Sequence, residues 1–237
     1  MKKLLILIAV IAAGVVAQAQ KTVYDANAEV RKVGSFHAIQ LSNAFTVLIT
    51  QGSEEGVAVS ASDNAETGKI KTNVENGVLK IWYDHDKKWS PKGPKLKAYI
   101  SVKNLDAIKA SGACDIKIEG TLNATNLKID LSGATDLIGK INVSDALTAN
   151  LSGASDLNLT GIADNAKIDL NGASEMKAYD FSTSNCNIEA SGASSVQITV
   201  DKELSAQISG ASSVRYKGTA MIKDIKTSGA SSISRKS

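Results

Sequence analysis

Apolar and polar residues alternate along most of this chain, and one tripeptide breaks the alternation at near-constant intervals. Ser-Gly-Ala (Asn-Gly-Ala once) recurs with its glycine at 112, 133, 153, 172, 192, 210 and 229, spaced 21, 20, 19, 20, 18 and 19 residues apart. Aligned on that glycine, the residues four before it are Ile108, Ile129, Ala149, Ile168, Ile188, Ala206 and Ile225, all apolar. Those three before it are Lys109, Asp130, Asn150, Asp169, Glu189, Gln207 and Lys226, all polar. Four after it stand Ile116, Leu137, Leu157, Met176, Val196, Val214 and Ile233. A period of two marks a strand with one buried face. Each repeat therefore predicts a strand, a tight corner at the glycine and a second strand. Glycine suits that corner because it adopts a positive φ without steric cost. Gly120, Gly139, Gly161 and Gly218 mark a second corner.

A pair of such strands is too thin to bury its own apolar side. Stacking equivalent strands of successive coils about 4.8 Å apart solves this and turns every column into a ladder. The predicted fold is all-β, a parallel β-helix with coils of about twenty residues. Leucine-rich repeats are excluded because their Leu-x-x-Leu-x-Leu frame is missing, as is the Gly-Gly-x-Gly-x-Asp frame of calcium-binding nonapeptides.

Upstream, Ser42-Asn43-Ala44 carries asparagine at the glycine position, the residue that best tolerates the left-handed region after glycine. Ile39, Leu41, Val47 and Ile49 then fall on the buried columns. Strands are expected at Val57 to Ala61, Ile70 to Val74, Val78 to Tyr83 and Leu96 to Val102, with Asn76-Gly77 turning a hairpin. Residues 20–237 are expected to form a single β-helix domain, irregular over 20–95 and regular over 96–237.

The first residues predict export. Met1-Lys2-Lys3, the apolar run Leu4 to Val16 and Ala17-Gln18-Ala19 form a secretory signal peptide over residues 1–19, too short for a membrane span. Its loss leaves 25 basic residues against 24 acids, which offers nucleic acid no electrostatic footing. No membrane insertion of the mature chain is expected, and its location is the periplasm, the cell surface or the medium. Cys186 falls on the buried column of Leu127, Leu147, Ala166 and Leu204, four coils from Cys114. That is on the order of 19 Å at the strand spacing, beyond the reach of a disulfide, so two free thiols are expected.

The signal peptide, the opening Val30-Arg-Lys-Val-Gly-Ser-Phe36-His-Ala-Ile39 and the Ser-Gly-Ala series together resemble the head GIN domain family. The resemblance runs from about residue 29 to the end. It implies a pectin-lyase-like β-helix and a role in cell adhesion, without catalytic residues. Self-transport would require a membrane barrel of eight or more strands, and none is expected in the few residues after the last corner.

Candidate chemistry lies in two places. Asp115, Asp136, Asp156 and Glu175 each stand three after a corner glycine, and stacked they form a ladder of like charge. Such a ladder could take calcium or the hydroxyls of a sugar. The plainer reading is solvated turn acids with Lys117 and Lys177 nearby. Trp82, Tyr83, His85 and Trp89 gather the scarce aromatics, both tryptophans included. They could offer a platform to a sugar or a protein, whereas the plainer reading packs Trp82 into the core and lets Trp89 pin a loop. Asp84-His85-Asp86 makes a poor metal set, since neighbours on a strand point to opposite faces.

No serine-hydrolase elbow, phosphate loop or paired-histidine motif is present, so no catalytic residue, metal or cofactor is assigned. The reading reached is an exported, non-catalytic solenoid binding a glycan or a surface protein. The alternatives are a carbohydrate-active enzyme of lyase or hydrolase type and an envelope scaffold. An open last coil, Ile225 to Ser234, invites a homodimer through the C-terminal end.

Overall fold

The computed structural model describes residues 25–84 and 93–236. The predicted signal peptide, His85, Asp86 and Trp89 lie outside the described residues. The chain is a parallel β-solenoid of about six turns of ~20 residues, 69% strand and 2% helix.

The N-terminal part holds β1 (Glu29–Arg31), β2 (Ala38–Leu41), β3 (Phe45–Gln51), β4 (Gly56–Ala61), the short α1 (Asn64–Thr67), β5 (Ile70–Glu75), β6 (Val78–Tyr83) and β7 (Leu96–Val102). The regular part runs through β8 (Ala107–Gly112), β9 (Asp115–Gly133), β10 (Asp136–Leu151), β11 (Asp156–Leu170), β12 (Glu175–Ala190) and β13 (Ser195–Ile208). It closes with β14 (Ser213–Lys217), β15 (Met221–Thr227) and β16 (Ser232–Arg235).

Register follows the alignment on glycine. Ile129 pairs with Ile108 and Ala149, Ile168 with Ala149 and Ile188, and Ala206 with Ile188 and Ile225, all in parallel. The inward columns of Ile, Leu, Val and Ala fuse into one core running from Phe36 to Ala220. Full burial of each large aliphatic chain contributes roughly 1.5–3 kcal/mol, and the ladder repeats that gain at every coil.

The corners explain why glycine recurs. Gly153 has φ +79, and a Cβ there would meet the carbonyl oxygen of Gly133 at 2.5 Å. The close approach arises because Ala154 N–H donates to that same oxygen at 2.8 Å, a bond repeated from Ala134 to Gly112 and from Ala173 to Gly153. Asn43 takes the position in the first corner with φ 78, as its left-handed tolerance predicts.

Beneath the corners runs a column the alternation did not announce. Thr135, Ser155, Ser174, Ser194 and Ser212 stand two after each glycine and are buried. Four of these hydroxyls are satisfied locally: Thr135, Ser155, Ser174 and Ser194 donate to the backbone carbonyl three residues earlier at 2.7–3.0 Å. A buried hydroxyl without a partner would be costly. Cys114 heads this column, and Cys186 sits between Ala166 and Leu204 as its spacing predicts. Both are free and buried, and burial pushes the Cys186 thiol up to about 12.

In the N-terminal part, stacking order departs from chain order. The coil of β2 and β3 lies directly on that of β8 and β9. The chain between them leaves, lays β6 and β7 in parallel on the other side of β2 and β3, and returns. Asn76-Gly77, both at positive φ, turn the hairpin that sets β5 antiparallel to β6. β4 pairs antiparallel with β7, and β1 with β4.

Candidate functional site

The acidic ladder is real as geometry. Asp136 pairs directly with Asp115 and Asp156, Asp156 with Glu175, and Glu175 with Ser195, so the four acids form one unbroken outward row. Burial raises the Asp156 carboxyl above its usual range, and the charges of Asp136 and Glu175 raise it further. Lys177 Nζ lies 2.9 Å from Glu175 Oε2 and answers part of the row. Lys117 does not serve the row as expected; it pairs with Glu119 at 2.8 Å. Among the described residues no three His, Cys, Asp or Glu side chains gather closely enough to hold a metal ion. Ladder acids face outward in line, whereas a cation needs ligands that converge.

Trp82 departs from its plainer reading. Its side chain is 36% exposed rather than packed in the core. The cause is parity: Leu79 and Ile81 of β6 point inward, which leaves Trp82 outward, across from Lys71 of β5. Tyr83 takes the inward place, donates its hydroxyl to Glu66 and its backbone N–H to Asn43 Oδ1 at 3.0 Å. Burial and then Glu66 push its phenol up to about 12. Trp82 lies on β6, on the far side of β2 from the coils that carry the acids, so the structure does not bring the two candidates together.

A third arrangement was missed in the sequence. The polar column three before the glycine and the Ser/Asn column one before it flank an open groove of about 370 Å³ across the last four coils. Asp169, Glu189, Gln207 and Lys226 line one side, and Asn171 and Ser191 begin the other. Asn171 ties the sides together, donating to Asp169 Oδ1 at 2.7 Å and accepting from the Ser191 hydroxyl at 2.5 Å. Carboxylates, amides and hydroxyls thus stand in rows one coil apart. The signal was present as two polar columns two residues apart; that they enclose a concavity depends on the bend at the corner. Asn123, Asn142 and Ser144 border a second hollow of about 420 Å³.

Comparison with known proteins gives a consistent picture. A family model described as "Putative auto-transporter adhesin, head GIN domain" matches residues 35–220. Among solved structures, a "putative adhesin" from Bacteroides fragilis is 22% identical with a TM-score of 0.80, over 88% of this chain and 95% of that one. One from Parabacteroides merdae, also a "putative adhesin", is 20% identical with a TM-score of 0.66, over 89% and 95%. A "putative lipid binding protein" from Parabacteroides distasonis is 20% identical with a TM-score of 0.64, over 89% and 97%. At these identities the structures share the fold. No curated protein matches the chain.

Proposed function

The chain belongs to the head GIN domain family, and from that membership we propose that it acts as an exported, non-catalytic adhesin at the cell surface. The observation that carries the reading is the groove beside the corners. Its polar groups, Asp169, Glu189, Gln207 and Lys226 beside a row of Asn171 and serines, stand at one-coil intervals of about 4.8 Å, which suits an extended ligand with polar groups along its length. A glycan strand has that character, and its hydroxyls pair with each of these groups. The corner bonds hold the rows in place before binding, which lowers the ordering cost that binding must meet.

The acidic row and Trp82 are secondary contact points in this reading. The row faces cationic or hydroxyl-rich surfaces, and Trp82 offers a ring face at the other end of the solenoid. Among the described residues no helix is long and apolar enough to cross a membrane.

The test is a glycan array followed by titration calorimetry with oligosaccharides of increasing length. Affinity should rise with length until the four coils of the groove are spanned. Glu189→Ala together with Asn171→Ala should weaken binding about tenfold or more, the loss of two buried-on-binding polar contacts. Binding indifferent to both substitutions, or a steady shortening of the bound polysaccharide, would remove the non-catalytic groove reading.

A further inference from the structure

The two terminal rungs at the C-terminal end are built like interior rungs but have a strand on one side only. β15 pairs with β13 and β16 with β14, and neither has a second strand neighbour among the described residues. Interior strands of the same columns bury their inward residues completely, as Leu204, Ala206 and Val214 do. At the end the position equivalent to Leu204 is open: Ile222, which pairs with it, is 51% exposed. Ile225 and Ile233 are only half-buried. Among the described residues no strand covers this cross-section of the apolar core.

We infer that this end is the interface of a two-fold dimer, in which β15 pairs antiparallel with β15 of a second copy about Ile225. Charge decides the register. In an antiparallel pair centred on Ile225, Asp224 of one copy faces Lys226 of the other, and the symmetry repeats the match. Moving the centre to Asp224 sets two aspartates face to face, and moving it to Lys226 sets two lysines so. The centred register also places Ile225 against Ile225 on the core side, since directly opposed residues share a face.

Lysines on an edge strand normally deter pairing. Here they are already answered within the chain. Lys226 Nζ lies 3.2 Å from Asp224 Oδ2, and Lys223 Nζ lies 3.0 Å from Glu203 Oε2. The edge is not a bare row of positive charge. A two-fold contact uses the same edge on both copies, so pairing through β15 closes at two copies instead of growing into a fibre. Lys226 also lines the groove, so the partner's Asp224 would stand at the groove's end and enter any ligand contact there.

Analytical ultracentrifugation of the purified chain tests this. A dimer is expected whose dissociation constant rises on the order of tenfold or more in either Asp224→Lys or Lys226→Asp, because each places like charges opposite one another. An equimolar mixture of the two variants should regain the dimer, since each supplies the charge the other lacks. The double variant carrying both exchanges should regain it too. Circular dichroism checks that each variant keeps its strand content. A chain that stays monomeric at high concentration overturns the inference, as does a dimer that neither single variant weakens or a mixture that fails to recover.

Discussion

The two ends of the solenoid solve the same problem differently. At the N-terminal end, β4 and β5 run antiparallel to the rungs they cover, and β1 lies antiparallel on β4. A strand of reversed direction breaks the run of parallel coils, although β1 and β5 themselves pair on one side only among the described residues. Side chains then tie the cover to the rungs and to itself: Tyr99 of β7 donates to Asp25 Oδ2 at 2.7 Å, and Arg31 Nη2 of β1 donates to the Thr67 carbonyl of α1 at 2.8 Å. At the C-terminal end, β15 and β16 keep the direction and the inward columns of every preceding coil. Repeat architectures need atypical terminal units to stay soluble. This one supplies a distinct cap at one end and an ordinary coil at the other.

The largest effect expected from breaking this comparison is at an interior corner. Gly153→Ala would force a side chain into positive φ and against the Gly133 oxygen, which neighbouring coils hold in place. A loss of about 2–4 kcal/mol in urea unfolding is expected. The same change at Gly229, where the nearest contact is the Gly210 oxygen at 2.8 Å and the coil is free on its far side, should cost about 1 kcal/mol. Equal losses at both sites would show that the terminal coil is as constrained as the interior.

Tyr99→Phe should act on the capped end alone. It removes the hydroxyl bonded to Asp25, at a cost of about 1 kcal/mol. Amide exchange should quicken in β1 and β4 and stay unchanged in β15. Burial alone would raise the Asp25 carboxyl, but Tyr99, Asn27, Ser60 and Lys97 together hold it below its ordinary value of 3.8. A lowered carboxylate contributes stability above the unfolded value and loses it as pH falls through the folded one. The cap should therefore weaken only in strong acid.

The smallest effect has the opposite sign. Asp156 titrates above 3.8, so its contribution is favourable below the unfolded value and lost as pH rises through the folded one. Mild acidification should slightly stabilise the middle coils before it weakens the cap. Asp156→Asn should flatten that rise in melting experiments across the mildly acidic range.

Most of the coil was legible because its two signals, period-two alternation and a glycine corner, are local. Asn43 could be placed by its tolerance of positive φ, and Asn76-Gly77 by its turn chemistry. The position of β6 and β7 outside β2 was not legible, because stacking there reverses chain order and no local pattern records it. Trp82 was misjudged although the parity of Leu79 and Ile81 already pointed it outward. The buried hydroxyls were visible as Thr or Ser two after the glycine from 135 onward, but only the inward turn of the backbone shows that they are enclosed. The groove depends on the same bend.

From Gly133 to Gly229, each corner glycine packs against the backbone of the corner glycine one coil earlier, so the junctions along that line share one backbone geometry. Deleting or duplicating one coil at the DNA level would rejoin surfaces of the same backbone form, with the odd residue absorbed where β10, β11 and β12 already shift register. Reach can then evolve in whole-coil increments, independently of whatever the flanks of the corner come to recognise.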